Sequence, residues 1–168
     1  MSRITRVAVA LGFAGASLVA GAGVAQSAGA AGATQVSGVG LPGAPPAPPC
    51  DEPGYAGADY TLVMTGDLVG CVYGFITEAR FHESSGTYHE IADEVFVGTY
   101  HGRTGTFRMT ENFSAKYALT TGAELFGRCQ HPIVKDSGKE GFAGVSGRLD
   151  FKDDVVAVVF PYRGHLTF

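Results

Sequence analysis

The chain has 168 residues, with 12 Lys and Arg against 16 Asp and Glu and a formal net charge of −4. A mildly acidic balance without a basic cluster argues against nucleic acid or an anionic lipid surface as a partner. Glycine is abundant at 25 residues, tryptophan is absent, and three cysteines leave one over if two pair.

At the N-terminus, Arg3 and Arg6 precede an apolar, small-residue stretch from Val7 to about Ala25, followed by small-residue cleavage sites such as Ala28-Gly29-Ala30. That order predicts a secretory signal peptide over residues 1–28 and a secreted, extracellular protein. The stretch is diluted by Gly and Ala and no second apolar run of spanning length follows, so no membrane anchor is expected. Residues 29–54 are nearly all Gly, Ala, Ser, Val and Pro, ending in the proline-rich run before Cys50. So little large apolar surface predicts a disordered tether. Residues 55–168 then form one domain of ordinary size.

In an oxidising compartment two of Cys50, Cys71 and Cys129 are expected to be joined. Cys71 and Cys129 lie in strand-like segments, which favours that pair. Cys50 joined to either of the others is the competing connectivity.

Beyond Pro53, two-residue alternation recurs between glycine-containing turns and no helical periodicity is sustained. Strands are predicted at Tyr60–Thr65, Val69–Phe81, Tyr88–Tyr100, Thr106–Tyr117, Glu124–Val134 and Phe142–Phe151. A last strand places Val156, Val158, Phe160, Tyr162, Leu166 and Phe168 on one face. The pattern is clearest in the fourth, where Phe107, Met109, Phe113, Ala115 and Tyr117 share a face. Short links suggest a meander, and closure would remove exposed edges. The expected fold class is all-β, a single antiparallel up-and-down β-barrel of about seven to eight strands, with a two-sheet sandwich as the alternative.

The strings Gly127-Arg128-Cys129-Gln130-His131-Pro132-Ile133-Val134, Gly147-Arg148-Leu149-Asp150-Phe151-Lys152-Asp153-Asp154 and Tyr162-Arg163-Gly164-His165 resemble a family of small secreted actinobacterial proteins of unassigned function. More distantly, the glycines and strand order are similar to allene-oxide-cyclase-like barrels, which share their architecture with lipocalin-like ligand binders. That resemblance implies a barrel of about eight strands with an apolar interior. No catalytic residue is carried across, because architecture alone does not confer activity.

Glu111 stands out because alternation places it on the apolar face between Met109 and Phe113. A carboxylate there must find a cation or a hydrogen-bond donor, or hold its proton. Glu94 shares a face with Phe96 and Tyr100 and raises the same question. Facing a barrel lumen, either is a candidate acid or base. Facing a partner such as Arg128, Arg148 or Arg163, either is structural. Tyr73 is a third catalytic candidate, brought near His131 if Cys71 and Cys129 are bonded. Phe107, Met109, Phe113, Tyr117 and His131 are the expected ligand-facing residues.

No metal or cofactor is expected. Asp150, Asp153 and Asp154 cluster at a turn but lack the ligand spacing of a calcium loop. The histidines at 82, 89, 101, 131 and 165 include no tight pair, and neither a nucleophile elbow nor a phosphate loop is present. The preferred function is binding of a small apolar or amphipathic molecule inside the barrel. The alternatives are a cyclase or isomerase acting on a flexible apolar substrate by acid/base catalysis, and a structural or host-interaction module without a ligand. The oligomeric state is left open.

Overall fold

Apolar residues at every second position, bounded by glycine turns, make strands of most of this chain. The structure, a computed structural model, describes residues 32–43 and 49–168. The expected signal peptide lies outside them. The strands are β1 (Thr34–Gly43), β2 (Tyr60–Gly66), β3 (Leu68–His82), β4 (Thr87–Tyr100), β5 (Arg103–Tyr117), β6 (Glu124–Pro132), β7 (Lys139–Glu140), β8 (Ser146–Lys152) and β9 (Phe160–Thr167).

Each long strand pairs antiparallel with the next, and β1 returns to β9, Thr34 opposite Leu166 and Gly40 opposite Phe160. The result is a closed eight-stranded antiparallel barrel, with β7 a short addition beside the start of β5. The predicted up-and-down barrel is therefore correct. The sandwich fails because the ring of pairings leaves none of the eight strands at an edge.

The turns follow the expected chemistry with shifted limits. His101 and Gly102 both have positive φ and join Tyr100 to Arg103 in a two-residue hairpin, the backbone that suits strand twist. Phe142 lies in a turn ahead of β8 rather than in a strand. Val156 and Val158, expected inside, sit in the hairpin between β8 and β9, where Val156 is 91% exposed. Asp154 makes that hairpin by accepting hydrogen bonds from the backbone N–H groups of Val156 and Ala157.

Two expectations are overturned. The predicted tether contains β1, which buries Val36 and Gly40. Its small residues, which argued for disorder, are what the wall requires. A Cβ at Gly38 would stand 2.6 Å from the Tyr162 ring, so that ring lies where a larger residue would push it away. The disulfide is Cys50–Cys71, and Cys129 is unpaired and buried. The physical reason is facing: Cys71 alternates outward on β3 with Val69 and Tyr73, whereas Cys129 points into the barrel. Outside, the bond joins a small cluster of Cys50, Ala58 and Tyr73, with the Tyr55 and Tyr73 rings 4.8 Å apart.

One end of the barrel is filled. Phe142, from the link between β7 and β8, packs its ring 5.7 Å from Phe96 and 5.1 Å from Phe107. Phe168 stacks on Tyr100, and the Arg103 guanidinium lies 4.3 Å over the Phe168 ring. Deeper in, the Tyr162 hydroxyl accepts from the Leu68 N–H at 3.0 Å and donates to the Thr65 carbonyl at 3.2 Å.

Candidate functional site at the open end

Among the described residues, the opposite end is not filled. Between Phe113, Phe151 and Phe160 a cavity of about 260 Å³ descends to Glu111, Cys129 and His131. It falls slightly below the range of about 300–1,000 Å³ typical of ligand sites, a size suited to a small molecule. A larger hollow of about 1240 Å³ runs over the outer wall past Ser114, Arg128, Lys152 and Arg163. Only the interior cavity brings together buried polar groups, so it is the better candidate.

Strand register builds the floor. Asn112 pairs with Gln130 and Met109 meets Ile133, which sets Glu111 of β5 beside His131 of β6. Glu94 of β4 is opposite Gly74 of β3, and Gly74 is opposite Tyr60 of β2. A Cβ at Gly74 would stand 2.0 Å from Tyr60 Cζ. The missing side chain thus lets the tyrosine ring lie across the strand toward Glu94.

The Tyr60 hydroxyl is 2.8 Å from Glu94 Oε1 and 2.6 Å from Glu111 Oε2. Glu94 Oε2 is 2.5 Å from His131 Nδ1. Glu94 is 0%, His131 1% and Glu111 7% exposed. Burial pushes the Glu111 carboxyl up to about 7, helped by the charge of Glu94 and opposed by His131 and the Tyr60 hydrogen bond. For His131 burial acts downward, but the charge and hydrogen bond of Glu94, then the charges of Glu111 and Asp150, carry the imidazole above its ordinary range. Burial, then the charges of Glu94 and Glu111, raises the Tyr60 phenol. The Cys129 thiol is raised by burial and by the charges of Glu111 and Glu94.

The rim carries more carboxylates. Asp153 and Glu124 converge where Gly127 leaves room, since a Cβ there would lie 2.3 Å from Asp153 Oδ2 and 2.6 Å from Glu124 Oε1. Burial first, then the hydrogen bond and charge of Glu124, pushes Asp153 up to about 7. Glu90 also lines the cavity and accepts the hydrogen bond of Tyr88.

The structure thus gathers Glu111, Glu94, His131, Phe113 and Tyr117 at one end. It separates the others. Phe107 and Met109 are fully buried in the main core, away from the cavity. Tyr73 lies on the outer face, its hydroxyl accepting from the Glu52 N–H at 3.2 Å, because the bond expected to bring it to His131 does not exist. Arg128, Arg148 and Arg163 point outward, and Arg148 pairs with Asp150 at 2.9 Å. Neither buried glutamate has an Arg or Lys partner among the described residues. Sequence reading missed Tyr60, whose one signal was the glycine at 74 between the aromatic Tyr73 and Phe75 of β3. It also missed a mixed donor cluster, since Glu111, Cys129 and His131 each offer a ligand atom within 4.8 Å of the others.

A ring of eight antiparallel strands with no open edge belongs to the architectural class of closed antiparallel β-barrels. Over residues 44–157 the chain matches the family described as "Protein of unknown function (DUF3224)", and it belongs to that family. No curated protein and no solved structure matches it.

Proposed function

We propose that this is an exported barrel that binds a small amphipathic molecule through its open end, with the apolar part against Leu62, Phe113, Phe151 and Phe160. The polar part meets Glu111, His131 and the Tyr60 hydroxyl. The observation that carries the reading is the cavity that ends on Glu111, Cys129 and His131, the last with a buried Nε2 that has no hydrogen-bond partner, while the opposite end is packed with aromatic rings. Export is supported by the charged, apolar, small-residue order of residues 1–28 and by the Cys50–Cys71 disulfide, a bond at home in oxidising compartments. The closed barrel also suits the likeness to allene-oxide-cyclase-like proteins.

The floor favours a second reading, a cyclase or isomerase. Glu111 faces the cavity without an Arg or Lys partner among the described residues and within reach of a tyrosine hydroxyl, the setting of a positioned acid or base. Native mass spectrometry of the mature protein from its own host, with extracted small molecules analysed in parallel, tests both readings. A stoichiometric amphipathic adduct recovered unchanged after incubation supports the binder, and an adduct converted to an isomer supports the enzyme. A protein that carries nothing and captures nothing from host extract overturns both.

A further inference from the structure

Cys129 is the odd cysteine, and neither reading above uses it. It points inward from β6 and cannot meet Cys50 or Cys71, which are bonded to each other on the outside. Two residues on, His131 shares its face, and Glu111 comes from the neighbouring strand. Donor atoms of all three lie within 4.8 Å of one another, and all three residues line the cavity.

The surroundings are those of a metal-binding imidazole. Such a ring is oriented by one nitrogen bonded to a carboxylate while the other faces the ion. Here Nδ1 of His131 is held by Glu94 at 2.5 Å. Its Nε2 is buried with no hydrogen-bond partner, an expensive state for a polar atom in a core. Glu111 is oriented in turn by Tyr60 at 2.6 Å.

We propose that Glu111, Cys129 and His131 bind one zinc-class transition ion through carboxylate oxygen, thiolate sulfur and imidazole nitrogen, with a fourth position open to the cavity. Three protein ligands and an open position are the pattern of a reactive zinc site. The sulfur and nitrogen donors select against calcium and magnesium, which take oxygen. Tetrahedral zinc with bonds of about 2.0–2.3 Å sets its donors roughly 3.3–3.8 Å apart, so the side chains close in by about an ångström on binding. Binding releases to solvent the thiol proton together with any proton held by the Glu111 carboxyl or by Nε2 of His131. Glu111 bound to an ion no longer serves as a free base, so this proposal and the cyclase reading exclude each other. It does not depend on any organic ligand.

The test uses the mature, disulfide-intact protein, stripped with a chelator and titrated with cobalt(II) and then zinc(II). One cobalt per chain is expected, with tetrahedral d–d bands, a sulfur-to-cobalt charge-transfer absorption, and full displacement by zinc. Because Cys129 is the one free thiol, that absorption identifies it without any variant. Cys129→Ser abolishes the absorption, with circular dichroism confirming the fold. Glu94→Gln, a change to a positioning residue, keeps the absorption and weakens zinc about tenfold to hundredfold. A folded wild-type protein that shows no saturable cobalt binding, or binds it without the sulfur absorption, overturns the proposal whether or not an organic ligand is found.

Discussion

The two ends of this barrel are made from the same strands and solve opposite problems. At the filled end the strands bring Phe96, Phe107 and Phe168 together, and Phe142 arrives from the link between β7 and β8 to close the gap. At the open end the same alternation delivers Glu94, Glu111, Cys129 and His131 inward, and no loop among the described residues fills the space above them. Packing supplies stability at one end. At the other, hydrogen bonds satisfy groups that would be cheaper to keep in water, and a few kcal/mol of stability is what such arrangements usually cost.

The sharpest way to break the comparison is Phe142→Ala. Removing a fully buried ring should cost about 3–5 kcal/mol in urea unfolding, whereas Phe160→Ala, half-buried at the mouth, should cost well below that. Equal losses would mean that the open end is as tightly packed as the other. Next comes the exterior staple. Cys50→Ser with Cys71→Ser should cost about 2–4 kcal/mol and leave the cavity groups undisturbed, so a reductant should lower the thermal midpoint of wild type but not of the double variant.

Tyr60→Phe asks whether the floor is held by its shared hydroxyl. The hydroxyl has one proton to donate, so its loss leaves at least one carboxylate oxygen of Glu94 or Glu111 without its partner, at a cost of about 1–3 kcal/mol. Calorimetry showing no change would indicate that water already satisfies them.

The smallest effect concerns the rim, where Asp153 is faced by Glu124 of β6 and by Tyr117 and Glu111 of β5. Its folded-state pKa, about 7, lies above the ordinary 3.8, so the folded chain binds this proton more tightly than the unfolded chain. The associated stability is complete below about pH 4 and is lost as pH rises toward 7. Asp153→Asn should flatten the fall in thermal midpoint across that window, and an unchanged slope would remove Asp153 as its source.

Much of the fold was legible because period two is a strong signal. Alternation in β5 put Glu111 on the apolar face of its strand, and in the structure that face is the inward one. β1 was not legible, since Gly38 and Gly40 read as linker until the Tyr162 and Phe151 rings are known to lie against them. The disulfide failed for a related reason: a strand's period shows that Cys71 and Cys129 each share a face with neighbours, but not which face is the inside. The site was half legible. Phe113, Tyr117, Glu111 and His131 could be read from single strands, whereas Tyr60 and the grouping of Cys129 with Glu111 depend on register between strands.

The pairing of β1 with β9 orders events in time. Thr34 must wait for Leu166, well over a hundred residues further along, and contacts of such long sequence separation form late. Until the last strand is available the sheet is an open ribbon with two unpaired edges and its acidic floor exposed to water. A chain that crosses a membrane unfolded would therefore reach the far side before it can close, and loss of β9 would leave β1 and β8 as two open edges.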